Sequence, residues 1–255
     1  MSEKLIQENN LEATEVSHEA TIFAEPIFHV GSFTITNSLI SAWITVIILV
    51  TIFILIGRKL KKVPRGLQNI FELILEEALK LTDSITGSRK KTEKFLPIAL
   101  TLFLFILVNN WLGLLPGVGT IGFVEGEGAH KVFVPILRGA TADLNMTLGL
   151  SLFVVVLSHI FGVISLGVWH HLNKFVNFKT FLEIGKKVRK EPMVLMVNPI
   201  KAFVGIIEIV GEIAKVASLS LRLFGNIFAG EVLLASMMAI SAYILPIPFM
   251  FLELI

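Results

Sequence analysis

The stretch from Pro199 to Tyr243 is mostly apolar, yet it carries Glu208, Glu212, Lys215, Arg222 and Glu231, and Glu253 follows it. Ionisable side chains inside a membrane segment are expensive and mark ion or proton pathways. Arg222 is the most informative. A guanidinium stays protonated in any protein setting, so it cannot escape a low dielectric by neutralising, as a carboxylate can. It needs a counter-charge or water. Positions 218, 219, 225 and 226 share its helix face and hold Ser, Leu, Gly and Asn, so no acid can pair with it there. Its partner must come from another segment, another chain or a water-filled cleft.

At about 100° per residue, Gly211, Ser218, Gly225, Ala229 and Ser236 fall within about 60° of Arg222 on a helical wheel. Small residues on one face let two membrane helices approach closely. Ordinary packing within the chain would leave the same stripe. Asn226 lies near this face one turn on, and Glu231 lies on the opposite one. Glu208, Glu212 and Lys215 precede Arg222, with Glu212 and Lys215 spaced as an i, i+3 ion pair. They suit a polar path toward Arg222, or a solvated helix start. Glu231 and Glu253 would serve a second path from the other side. One fixed cation between two polar half-paths is the electrostatic layout of a gated ion route.

The chain that must position these residues has 255 amino acids, 54% apolar and only 16% charged, with a mean hydropathy of +0.80. A soluble domain carries roughly 25% charged residues, and so little polar surface cannot cover so much apolar area. The composition excludes a disordered chain. The absence of cysteine excludes thiol catalysis, Cys-ligated zinc and iron–sulfur clusters. We expect an all-α integral membrane protein with about five membrane helices, an external segment 1–36 and one membrane domain, 37–255. The spans are expected at 37–57, 96–116, 146–169 and 199–243, with a partial one from 247. Pro199 is expected at the first position of the fourth span, and Pro246 and Pro248 at its end. If continuous, that span is about 68 Å long, twice the hydrocarbon thickness, so it must tilt strongly, break or project.

Orientation follows from the bases. Ten lie in 58–94 and six in 170–198, against Lys131 and Arg138 in 117–142. The positive-inside rule makes the first two loops cytoplasmic and the N-terminus external. The external segment is acidic, with Glu3, Glu8, Glu12, Glu15, Glu19 and Glu25 against Lys4, and no signal-peptide pattern opens it. Between the first two spans, Leu67, Ile70, Phe71, Ile74, Ala78, Leu81 and Ile85 form one stripe of an amphipathic helix. It would lie on the membrane surface, against partner helices or on its own chain.

No P-loop, GxGxxG, GxSxG or HExxH occurs, and no cofactor is expected. Neighbouring helix positions point about 100° apart, so His170 and His171 should not share a metal. A membrane-embedded hydrolase would need a nucleophile–base pair, which the sequence does not offer. A secondary ion-coupled transporter with a buried charge site is the alternative function. It would show inverted repeats and paired broken helices, and neither is evident.

The segment Ser220-Leu221-Arg222-Leu223-Phe224-Gly225-Asn226-Ile227-Phe228-Ala229-Gly230-Glu231 resembles the signature of subunit a of bacterial F-type ATP synthases. Asn110-Trp111-Leu112-Gly113-Leu114-Leu115-Pro116 and Asp143-Leu144-Asn145-Met146-Thr147 resemble two further motifs of that family, in the expected order. The similarity covers roughly residues 26–255. It implies a non-catalytic, multi-pass stator subunit of the cell membrane, set against a ring of c subunits and held by the b-subunit peripheral stalk. Two offset half-channels would pass protons to and from the ring carboxylates and couple their flow to rotation and ATP synthesis. By the family pattern Arg222 faces the ring. Asn226, Glu231 and Glu253 belong to the outer half-channel, with Glu253 beside Glu231, and Glu208 to the cytoplasmic one. Asn110, Asp143 and Asn145 give polar support. Gly113 stands where some members carry an acid, so no proton role is assigned there. Since seven residues from Phe249 cannot span a bilayer, the reading frame is expected to continue past Ile255, with a glutamine about two turns beyond Glu253.

Overall fold

The computed structural model describes residues 21–58, 60–115, 118–119, 121–125, 132–176, 194–241 and 244–254. The acidic stretch 1–20, Lys131, and the bases Lys179, Lys186, Lys187, Arg189 and Lys190 lie outside the described residues. The elements are β1 (Pro26–Val30), β2 (Phe33–Thr36), α1 (Asn37–Arg58), α2 (Leu67–Thr86), α3 (Arg89–Leu114), β3 (Gly122–Glu125) and β4 (Val132–Pro135). A 3-10 turn (Ala140–Ala142), α4 (Leu144–Leu166), α5 (Val168–Val176), α6 (Val194–Ile240) and α7 (Pro246–Leu254) follow. Three of the described helices, α1, α3 and α4, are long and apolar enough to cross a membrane, and the chain is an all-α membrane protein. Two short antiparallel hairpins, β1–β2 and β3–β4, lie in the N-terminal segment 1–36 and in the loop 117–142. Their β-branched and aromatic residues suit a pleated ribbon.

The chain forms two compact units, Met1–Asp143 with Ile227–Ile255, and Leu144–Asn226. In the first, large apolar side chains such as Ile47 on α1 (64% exposed) point outward, while Asn37, Ser38, Ser41 and Thr45 are buried. A lipid environment explains both halves of this inversion. Apolar side chains lose nothing in hydrocarbon, and polar ones must find partners inside the protein. Thr45 donates its hydroxyl to the Ser41 carbonyl at 2.9 Å, and the fully buried Asn109 of α3 donates to the Thr45 hydroxyl at 3.1 Å. Small polar side chains at such contacts let helices pack closely.

At the other end of α1 the contact is apolar. Leu49, Leu96, Leu100 and Leu104 form a core on which Phe71, Ile74, Leu75, Ala78 and Leu79 of α2 pack. The apolar face of α2 is wider than this contact. Leu67, Ile70, Leu81 and Ile85 remain exposed, so the helix is covered by its own chain along one edge and left apolar along the other. Its link to α3 is held by Arg89 Nη1 on Asp83 at 2.9 Å.

In the second unit α4 ends earlier than the expected span 146–169. Gly167, at φ 82°, terminates it at Leu166, and α5 begins at once. The left-handed conformation is open to glycine at no steric penalty. Two proline expectations are also corrected. Helix α6 starts at Val194, so Pro199 lies inside it. Near a helix end the missing N–H removes one bond where several are already unmade. Pro246 and Pro248 do not close α6, which ends at Ile240. They open α7, in the first turn where proline loses no helical bond. At 47 residues, α6 is unbroken and about 70 Å long.

Candidate proton-path residues

Two groups of ionisable residues are assembled, one in each unit. In the first unit the centre is Arg138, only 4% exposed. Its Nε donates to Glu231 Oε1 at 3.0 Å and its Nη2 to Glu231 Oε2 at 2.8 Å. Nη1 donates to the Thr21 hydroxyl at 2.9 Å and Nη2 to the Thr21 carbonyl at 2.7 Å. The backbone N–H of Arg138 reaches the Ser41 hydroxyl at 3.3 Å. A guanidinium fork gripping a carboxylate at two points is the geometry that makes a buried ion pair tolerable.

Glu253 of α7 lies against the same turn of α6. A Cβ at Gly230 would strike its carboxylate, so the glycine leaves room for the acid beside Glu231. The Oε2 of Glu253 is buried and has no hydrogen-bond partner among the described residues. In the sequence Arg138 is not legible as a site residue, because it counts only as one of two bases in a connecting loop. A lone base between Leu137 and Gly139 in an apolar stretch was the signal available.

The polar-support residues divide. Asn109 Oδ1 accepts the Ala140 N–H at 2.9 Å, and Asn110 Oδ1 accepts the Thr141 hydroxyl at 2.5 Å. Both fix the segment that carries Arg138. Gly113 allows α3 to approach this segment closely, with its Cβ position 3.3 Å from the Gly139 Cα. Asp143 is buried just after the 3-10 turn, whereas Asn145 is exposed in the first turn of α4.

In the second unit a cleft of about 790 Å³ is lined by His159, His171, Glu212, Lys215, Ser218 and Arg222, among others. Arg222 is exposed and forms no hydrogen bond or ion pair among the described residues. A Cβ at Gly225, one turn on, would meet nothing within 4 Å. The expected Glu212–Lys215 pair is present at 2.8 Å. Glu208 is half-buried one turn earlier on α6 and is not among the walls of this cleft. Asn226 is exposed.

Histidines enter here as well. His159 Nδ1 and His171 Nε2 are 3.2 Å apart, and His159 Nε2 lies 3.6 Å from Glu212 Oε2. The adjacent pair His170–His171 is therefore not the relevant one. The break at Gly167 turns α5 so that His171 meets a histidine twelve residues earlier. Among the described residues no cluster of His, Asp and Glu is arranged to hold a metal ion.

A family model described as ATP synthase A chain matches residues 39–255. The ATP synthase subunit a of Moorella thermoacetica is 30% identical over 228 residues, covering 89% of this chain and 84% of that protein. The ATP synthase subunit a 1 of Syntrophotalea carbinolica is 33% identical over 209 residues, covering 82% and 72%. That of Mycobacterium ulcerans is 34% identical over 215 residues, covering 84% and 74%.

Proposed function

This chain belongs to the ATP synthase A chain family, and on that premise we propose that it is the proton-conducting stator subunit of the membrane sector of an F-type ATP synthase. It is a component of the ATP synthase complex and a multi-pass membrane protein. In this reading it does no phosphoryl chemistry. It stands against a ring of c subunits, is held by a b-subunit stalk and lies in the cell membrane with its N-terminus outside.

The observation that carries the reading is Arg222: a permanent cation, exposed, without an ion-pair partner among the described residues, on the wall of a cleft that also holds His159, Glu212 and Lys215, and beside an open glycine. A carboxylate carried past on a partner helix completes it. At about 4 Å and an effective dielectric of about 20, the attraction is about 4 kcal/mol, or about three pKa units of preference for the ionised acid. A protonated ring site therefore gives up its proton before passing Arg222. The two polar routes deliver and remove that proton on opposite sides. Glu231, Glu253 and Asn226 serve the outer one, with Arg138 fixing Glu231. Glu208 and Glu212 serve the cytoplasmic one. The fixed cation between them repels a proton that would pass straight through, so flow requires rotation.

The test is ATP-driven proton pumping by membrane vesicles carrying the complete complex. Arg222→Ala is expected to abolish pumping while subunit content on blots stays near parental, because alanine removes a charge that has no partner to strand. Arg222→Lys is expected to rescue poorly, since an ammonium sheds its proton when desolvated and lacks the planar fork. Normal pumping by the alanine variant would refute the assignment.

A further inference from the structure

We propose that His159 and His171 form a proton-holding site at the cytoplasmic entrance to the Arg222 cleft, with Glu212 as its counter-charge. The inference rests on the stator reading above and assigns that route two residues which neither the family resemblance nor the sequence pattern singles out. Three helices converge to make the site: α4 supplies His159, α5 supplies His171 and α6 supplies Glu212. The two imidazoles face each other through Nδ1 and Nε2 at 3.2 Å, close enough for one N–H to be shared between two ring nitrogens. The other nitrogen of His159 faces Glu212 at 3.6 Å. Lys215 holds the other oxygen of that carboxylate at 2.8 Å. The histidines and Arg222 line one cleft, about 15 Å apart along α6 from Glu212 to Arg222.

The chemistry is a reversible proton transfer. A hydronium ion gives its proton to a ring-nitrogen lone pair, leaving water and an imidazolium hydrogen-bonded to a neutral ring. The carboxylate of Glu212 balances the added charge. Release returns the proton to water in the cleft, and the pair regains its single shared hydrogen. Among the described residues that line the cleft, the other charged groups are Lys215 and, about 15 Å further along α6, Arg222. A ring nitrogen can accept a proton and later donate it, so the pair can take up a proton from a dilute cytoplasmic source and pass it on.

In vesicles with the cytoplasmic face outward, uptake during ATP-driven pumping draws on this side. His159→Gln is expected to lower the initial pumping rate about three- to tenfold near pH 8.5 and by less than about twofold near pH 6.5, since a positioned proton carrier matters most when protons are scarce. The double variant His159→Gln, His171→Gln is expected to fall no further, because the two residues act as one site. Glu212→Gln keeps the local shape, is expected to show the same pH-selective loss, and serves where a histidine variant fails to assemble. Parental pH profiles in the His159 and Glu212 variants, beside a silent Arg222→Ala, would overturn this proposal and leave the stator reading intact. A loss uniform across pH, with reduced subunit content, would assign the pair a structural role and overturn it as well. Pumping by Arg222→Ala would bring down the stator reading and this proposal together.

Discussion

Arg138 and Arg222 carry the same charge and solve the problem of holding it in opposite ways. Arg138 is buried and spends its donors on Glu231 and Thr21. Arg222 is exposed on α6 and leaves its own uncommitted among the described residues. Removal of each should therefore have opposite consequences. Arg138→Ala strands a carboxylate next to a second one, Glu253, and is expected to destabilise the protein by about 3 kcal/mol. The readout is the thermal unfolding midpoint in detergent. Arg138→Lys should recover only part of this, because one ammonium cannot grip both oxygens while also reaching Thr21. Adding Glu231→Gln to the alanine variant should restore stability toward the parental value. An unchanged midpoint in Arg138→Ala would show that the ion pair is dispensable.

At the scale of elements, Gly167 decides where α4 stops and so whether His171 can reach His159. Any side chain at φ 82° costs about 1–2 kcal/mol relative to glycine, and a helix that ran on through this point would carry His171 away. The chain has no cysteine, so introduced thiols report cleanly. We expect His159→Cys with His171→Cys to be joined by a short bis-maleimide, which spans the gap that the two imidazoles fill in the parent, and Gly167→Val to cut that yield severalfold. Equal yield in both backgrounds would place the control of α5 elsewhere. Helix α2 makes a related point about breadth. Its apolar stripe was legible from spacing alone, but the covered edge, Phe71, Ile74 and Leu75 onward, is offset from the stripe's centre. Periodicity gives the direction of an apolar face and not which part of it a neighbour covers.

For the whole molecule, the distribution of bases predicts its orientation: ten in 58–94 and six in 170–198, against two in 117–142. Ser88→Cys, in the short link between α2 and α3, is expected to react with an impermeant thiol reagent in inverted vesicles and not in intact cells. Labelling from outside intact cells would reverse the topology. The membrane class, the approximate places of α1, α3 and α4, and the amphipathic α2 were legible in the sequence, because hydropathy and 3.6-residue periodicity are properties of neighbouring residues. The absence of an acid within one turn of Arg222 is a local fact and needs no fold. Two things were decided only by tertiary structure: the pairing of Glu231 with Arg138, 93 residues away; and the meeting of His159, His171 and Glu212 from three helices. Each depends on where the chain turns and which helix faces which. No local pattern encodes that, because a charge or an imidazole looks the same in sequence whether its partner is solvent or a residue a hundred positions distant.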